Sequence, residues 1–205
     1  MRKIVPIIVN NEFACNCYLL FQEQHAIVID PGTKNHRIID EIESRQAQVD
    51  AIVLTHGHFD HIAGVDKLVK QYHCPVYIHE ADEPMLYDSY LNFSVAAQPF
   101  ILKTKAVPLG VGTVNIGVFQ LTVIDAPGHS EGSVLIQWGN DLFSGDTLFQ
   151  MGIGRTDLAS GSNSKMMQTL RMVKQLDPSL HIYPGHGEFT TMQEELNFNP
   201  YLIQV

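Results

Sequence analysis

The stretch Thr55-His56-Gly57-His58-Phe59-Asp60-His61 limits what this chain can fold into more than any other feature. Four side chains that can bind metal fall between positions 56 and 61. They follow the apolar run Ala51–Leu54 and precede an amphipathic segment, Ile62–Tyr72. The first run reads as a buried strand, the second as a helix with Ile62, Val65, Leu68 and Val69 on one face. So many ionisable groups at the end of a buried strand are costly unless they are paired or metallated. In extended backbone His56 and His58 point the same way and Asp60 continues the alternation. His61, at the tightening start of a helix, can turn toward a second ion. The fold is therefore expected to bring further ligands to this strand end.

Three later positions also follow strand-like runs. His129 lies in Ala126-Pro127-Gly128-His129-Ser130 after Phe119–Asp125. Asp146 lies in Ser144-Gly145-Asp146-Thr147 after Asp141–Phe143. His186 lies in Pro184-Gly185-His186-Gly187 after His181–Tyr183. Loops at strand ends on a rigid scaffold are where sites are built. Imidazole nitrogen and carboxylate oxygen suit zinc, and also iron or manganese. One catalytic ion uses about three protein ligands plus water. Five histidines and two aspartates exceed that need, and they fit two divalent ions about 3.5–4 Å apart, bridged by one carboxylate. Thr55 and Asp30 are expected to orient the imidazoles. His25, His36, His73 and His181 read as surface or satisfied core residues, as does His79, although it ends a strand beside the expected site. Arg155 stands nine residues after Asp146 in a glycine-rich loop. Its guanidinium would either hold a substrate carboxylate through two parallel hydrogen bonds or pair with Asp157 to shape the loop.

Strands are expected at Ile4–Val9, Tyr18–Phe21, Ala26–Ile29, Ala51–Leu54 and Pro75–His79, with a turn at Asp30-Pro31-Gly32 and a helix over Asn35–Arg45. Residues Asp82–Thr104, interrupted by Pro84 and Pro99, read as a helix followed by a loop. Such a stretch often lies over a site. The second half repeats the grammar. Val107–Leu109, Thr113–Ile116 and Phe119–Asp125 are strands, and Ser133–Trp138 with Asp141–Phe143 forms a hairpin around Gly139-Asn140. Ser164–Gln175 is a helix, His181–Tyr183 a strand and Thr191–Phe198 a helix. Two similar halves imply two sheets packed face to face with helices outside. Without a linker, residues 1–205 are expected to form a single domain.

Composition narrows the function. The chain has 205 residues, 45% of them hydrophobic and 17% charged, which supports a real core and argues against disorder. The net charge of -9 supplies no basic footprint for nucleic acid and disfavours an anionic membrane. It does not forbid an anionic substrate, because bound cations dominate a local site. Cys15, Cys17 and Cys74 fit no disulfide framework and read as small hydrophobes. Ile4–Val9, ended by Asn10, Asn11 and Glu12, is too short for a secretion signal, and no run approaches a membrane span. The expected location is the cytoplasm. The sequence carries no signal for an oligomeric state.

Together these motifs, from Asp30 to His186, resemble those of the metallo-β-lactamase superfamily. Thr55–His61 matches its T-H-x-H-x-D-H signature, and Pro127–Ser130, Phe143–Phe149 and Pro184–Gly187 match its later motifs. Within it the chain is most similar to the glyoxalase II (hydroxyacylglutathione hydrolase) branch in a compact form. The resemblance implies a four-layer αββα sandwich. It implies that His56, His58 and His129 hold one ion, that Asp60, His61 and His186 hold a second, and that Asp146 bridges them. The ions, most simply zinc, would generate a bridging hydroxide that attacks a small-molecule thioester such as an S-(2-hydroxyacyl) thiol conjugate, with Asp60 part of the catalytic set. The helical C-terminal domain that supplies basic groups to glutathione in that branch is not matched. Only 19 residues follow His186, and Gln193-Glu194-Glu195-Leu196-Asn197 is not basic.

Other classes remain. Gly152–Asp157 also resembles the single-iron persulfide dioxygenases, although Pro184–Gly187 has the hydrolase form. The best-known β-lactamases place Cys where Asp146 stands. A nuclease of this fold would carry an added RNA-binding module, and a flavodiiron-like protein would show Glu at the position of His58. A non-enzymatic structural metal protein would be rich in cysteine ligands.

Overall fold

A computed structural model of the chain describes residues 2–8 and 15–205. Its first sheet is made of β1 (Arg2–Ile7), β2 (Cys17–Gln22), β3 (His25–Ile29), β4 (Gln48–Val53), β5 (Val76–Ile78) and β6 (Val107–Pro108), in that spatial order. The first two pairings are antiparallel, and β3 to β6 run parallel. Helices α1 (Arg37–Ser44), α2 (Phe59–Ile62) and α3 (Val65–Tyr72) lie in the crossovers. The second sheet contains β7 (Gly112–Ile116), β8 (Phe119–Asp125), β9 (Val134–Trp138) and β10 (Asp141–Gly145). A small separate hairpin follows, β11 (Leu148–Phe149) and β12 (Gly152–Ile153), and then α4 (Asn163–Val173). Strands β13 (His181–Pro184) and β14 (Thr190–Thr191) complete the second sheet in the order β14-β13-β10-β9-β8-β7. Helices α5 (Met192–Phe198) and α6 (Pro200–Gln204) end the chain.

Period-two alternation makes four layers of these elements. In β2, Tyr18 and Leu20 face the second sheet, where with Ile27, Ile29, Ala51 and Val53 they meet Phe119, Leu121, Val123, Val134, Ile136 and Trp138. The intervening Cys17, Leu19 and Phe21 turn outward, onto Ile38 and Ile42 of α1 and Val65 and Leu68 of α3. On the far side Leu135, Leu142 and Ile182 pack against Met166, Leu170 and Val173 of α4 and Leu202 of α6. Each such aliphatic side chain contributes about 1.5–3 kcal/mol on burial. Slipping β2 by one residue would exchange its two apolar faces, so register is set by shape as well as polarity.

Several expectations need correction. The helix expected over Ile62–Tyr72 begins only at Val65 as α3. Ile62 instead ends α2, which also takes in Asp60, so Asp60 does not continue the extended alternation of His56 and His58. The chain breaks between the two helices at Ala63-Gly64. Gly64 N–H donates to Pro31 O at 2.7 Å, and a Cβ there would meet Thr33 O at 2.3 Å, so the chain breaks helical register to pack on the turn after β3. Residues 82–104 hold no α-helix. They form short 3₁₀ turns at Glu83–Tyr87 and Ser94–Ala96, because the Asn92 and Ser94 side chains take the backbone bonds that a helix would use. The β11–β12 hairpin, β14 and α6 are additions to the sequence reading. The first strand ends at Ile7, while Val9, Asn10, Asn11 and Glu12 lie outside the described residues. The hairpin at Gly139-Asn140 stands as expected, with Gly139 at φ 66°. Among the described residues no helix is long and apolar enough to cross a membrane.

Candidate metal centre

Strand direction gathers the site. β8 and β10 are each antiparallel to β9, and β13 is parallel to β10, so these three strands finish on one rim. His129, Asp146 and His186 follow them. From the first sheet, the loop after β4 brings His56 and His58, and α2 brings Asp60 and His61. A backbone bond from Val134 N to Thr55 O at 2.9 Å joins the two rims.

All seven expected ligand residues converge. His56, His58 and His129 form one cluster, Asp60, His61 and His186 another, and His56, His61 and Asp146 a third between them; within each, one ligand atom per residue lies inside 4.8 Å of the others. His58 Nδ1 is 2.8 Å from His129 Nε2. His186 Nε2 is 3.0 Å from Asp60 Oδ2 and 3.5 Å from Asp146 Oδ2. Asp146 reaches both ways, with Oδ1 3.2 Å from His61 Nε2 and Oδ2 3.5 Å from His129 Nε2.

The partners behind the rings set which nitrogen faces inward. His61 Nδ1 donates to Asp30 Oδ2 at 2.9 Å. Thr55 Oγ1 donates to the same oxygen at 2.6 Å, so at 3.1 Å it accepts from His56 Nδ1. His129 Nδ1 donates to Arg155 O at 2.8 Å. In the neutral ring each arrangement leaves Nε2 with its lone pair toward the centre, as metal-binding imidazoles require. Three of the converging atoms, His56 Nε2, His61 Nε2 and Asp146 Oδ1, are buried without any hydrogen-bond partner. Such atoms are expensive, and a divalent cation satisfies nitrogen and oxygen donors alike. The donor set fits a metal. Space for it depends on Gly185, where a Cβ would stand 2.3 Å from Asp146 Oδ1 and 2.7 Å from His61 Cε1.

Electrostatics divide the centre. Burial and the neighbouring His129 push His58 down to about 3, and burial with His61 and His129 holds His56 well below its ordinary value. Both are neutral and ready to ligate. Burial would also lower His61, but the carboxylates of Asp146, Asp30 and Asp60 raise it well above its ordinary value. His186 is likewise raised, against its burial, by Asp60 and Asp146. Burial works against the Asp146 carboxylate, yet His61, His129 and His186 keep it well below the usual range.

A cavity of roughly 240 Å³ opens onto the cluster, lined by His58, Asp60, His129, Asp146 and His186 together with Phe59, Phe93, Leu158 and Arg155. Arg155 is on this wall, but its guanidinium is held by Asp157 through two bonds, at 2.7 and 2.8 Å. The other histidines lie elsewhere: His25 pairs with Asp50, His181 with Asp141 and His79 with Asp125, while His36 and His73 sit at helix ends. Cys15, Cys17 and Cys74 are free and buried.

Sequence reasoning missed Asp82 and Asn92. Asp82 accepts from Gly57 N at 3.1 Å, Ser130 Oγ at 2.6 Å and Gly132 N at 2.7 Å, tying the loop of His56 and His58 to that of His129. Asn92 O accepts from Phe59 N at 2.9 Å. Both residues are fully buried polar groups in the stretch with the weakest periodicity, and nothing local announces their distant partners.

The chain belongs to the metallo-β-lactamase superfamily, whose family model matches residues 10–186. A Bacillus subtilis relative, "Probable metallo-hydrolase YqgX", is 35% identical over 91% of this chain and 92% of its own length. The Haemophilus influenzae "Hydroxyacylglutathione hydrolase GloC" is 29% identical, covering 98% of this chain and 97% of that protein. Among solved structures, BLEG-1, a B3 metallo-β-lactamase, superposes with a TM-score of 0.90 at 33% identity, covering 98% of this chain and 99% of that one. TTHA1623 in a di-iron-bound form gives a TM-score of 0.85 at 31% identity, with 96% and 99% covered. The His/Asp cluster of this superfamily member is a divalent-metal site.

Proposed function

We propose that the chain is a binuclear metal-dependent hydrolase that cleaves thioesters of the S-(2-hydroxyacyl) thiol class. The observation that carries this reading is the second cluster, Asp60, His61 and His186, standing intact beside His56, His58 and His129 with Asp146 between them. A one-ion enzyme needs only the first cluster and Asp146. The similarity to the Haemophilus hydroxyacylglutathione hydrolase supports the substrate class, and the di-iron form of a structural neighbour supports two ions. Zinc suits the ligands best, and iron or manganese suits them also.

His56, His58 and His129 would hold one ion, Asp60, His61 and His186 the other, and Asp146 both. Bound there, the ions would supply hydroxide near neutral pH, polarise the thioester carbonyl and stabilise the departing thiolate. The residues do the positioning. Asp30 and Thr55 fix the His61 and His56 rings. Arg155 O fixes His129. Asp60, at the cavity wall beside His186 Nε2, would orient the attacking water and hold its proton before the thiolate takes it. A C–O bond forms, the C–S bond breaks, and acid and thiol leave.

A second reading, β-lactam hydrolysis, is favoured by the 33% identity to BLEG-1. Elemental analysis of fresh protein, with thioester, β-lactam and thiol-persulfide assays run with and without oxygen and chelator, tests both. About two ions per chain and chelator-sensitive thioester cleavage indifferent to oxygen are expected. One iron per chain, oxygen uptake with a persulfide and inertness to thioesters would overturn the proposal.

A further inference from the structure

Phe93 has φ 65° and ψ 10°, in the left-handed region. Bulky side chains rarely occupy it, and a residue held there persists only where its surroundings over-determine the backbone. Here they do. Phe93 N donates to Tyr90 O and Phe93 O accepts from Ala96 N, each at 3.1 Å. The buried Asn92 side chain donates to Phe100 O at 3.1 Å and accepts from Ser94 N at 2.9 Å, while its carbonyl accepts from Phe59 N at 2.9 Å. Ser94 Oγ donates to Phe100 O at 3.1 Å and accepts from Phe100 N at 3.0 Å.

Glycine takes this backbone conformation more readily than phenylalanine. The position carries a ring in spite of that local backbone strain, and Phe93 lines the metal cavity. With Phe59 and Leu158 it forms an apolar wall beside groups that are otherwise metal ligands or Arg155, and the Arg155 guanidinium is held by Asp157. The wall's side chains have no hydrogen-bonding group for a polar substituent and considerable area for an apolar one. Roughly 240 Å³ includes the space that bound ions would fill, and what is left suits the acyl end of a substrate rather than a whole thiol carrier.

We infer that Phe93 sets acyl specificity at this site, selecting thioesters whose acyl group bears an apolar, ring-sized substituent. The inference rests on the thioesterase reading for its substrate class, and on the cavity and the Phe93 backbone for the residue.

The test compares S-mandeloyl and S-lactoyl esters of one thiol, which differ by phenyl against methyl. It also measures equilibrium binding of mandelate and lactate to the metal-loaded protein, and Tm. The wild type should prefer mandeloyl by about tenfold or more in kcat/KM. Phe93→Gly should erase most of that ratio, chiefly through KM, with Tm unchanged or raised. Phe93→Ala, which keeps the strained backbone and loses the ring, should show the same shift in ratio and a lower Tm than Phe93→Gly. Equal losses on both esters would overturn the inference, as would a Tm of Phe93→Gly below that of Phe93→Ala. If the wild type cleaves neither ester but binds mandelate over lactate, and Phe93→Gly loses that preference, the thioesterase reading falls and Phe93 keeps its role. Absence of any preference in both assays removes Phe93 from the specificity of the site.

Discussion

The two sides of the metal centre solve the burial of ionisable groups in opposite ways. On one side three imidazoles, His56, His58 and His129, are nearly sealed from solvent with no carboxylate in their own cluster. Burial and mutual repulsion keep His56 and His58 neutral. On the other, His61 and His186 face Asp60, Asp146 and, for His61, Asp30, and those carboxylates favour the imidazolium. His186 is also the more open of the two, with 34% of its side chain exposed. The first side is pre-set for a cation. The second offers a proton the same place, so an ion bound there would be the more readily exchanged.

Asp146, proposed to serve both sides, is where this contrast is most easily broken. Asp146→Asn removes charge from both sides at once, and turnover should fall by orders of magnitude with reduced metal content. Near-normal activity at full occupancy would end the bridging role. Next in size is His186→Ala, which should leave about one ion per chain, at His56, His58 and His129, and abolish most hydrolysis. Elemental analysis showing loss of both ions, or of neither, would dissolve the division into two sides.

The pH dependence of the metal-free protein sharpens the comparison. His58 lies at about 3 in the folded chain, against an ordinary value of about 6.5. Between those values the unfolded chain binds a proton that the folded chain refuses, so the His58 contribution to stability falls as pH drops from about 6.5 toward 3. His61 is raised, so its stabilising pairing is complete below about 6.5 and is lost as pH climbs through its folded value. Urea midpoints of chelated protein should therefore decline on both sides of a maximum, with His58→Gln flattening the acid limb and Asp146→Asn the alkaline one. Unchanged limbs in those variants would place the pH response elsewhere.

The smallest expected effect is that of Arg155→Ala. With the guanidinium engaged by Asp157 on an exposed loop and the backbone carbonyl retained for His129, Tm should barely move. Steady-state kinetics on a carboxylate-bearing thioester should show only a few-fold change in kcat/KM. A large rise in KM confined to that substrate would return Arg155 to substrate binding.

What was legible in the sequence was local. Ligand types and their two-residue spacing mark Thr55–His61 because the strand before it and the helix after it impose the geometry. The αββα layering is written in the repeated order of strands then helices in the two halves, while the alternation of β8 shows which of its faces is buried. What escaped depends on partners far along the chain. The break at Ala63-Gly64 exists because the turn at Pro31–Thr33 crosses there. Asp82 finds its partners at Gly57, Ser130 and Gly132. Residues 82–104 follow neither a helical nor a strand period, since their order comes from the side chains of Asn92 and Ser94. The left-handed Phe93 carries no compositional sign of that conformation.

Strand direction gathers the ligand residues, and it also divides tolerance to change. Because β3, β4, β8, β10 and β13 all end at the metal rim, the turns that begin β3, β8 and β10 lie on the opposite one. Those are the reversals near Glu23-Gln24, Gly117-Val118 and Gly139-Asn140. A peptide tag, a fluorophore or an inherited insertion placed there is separated from the chemistry by the full length of a strand. The same addition at Gly57, Gly128 or Gly185 would fall among the ligands. One end of the sandwich therefore tolerates lengthening and decoration that the other does not, and an engineer seeking a silent attachment point has that end to use.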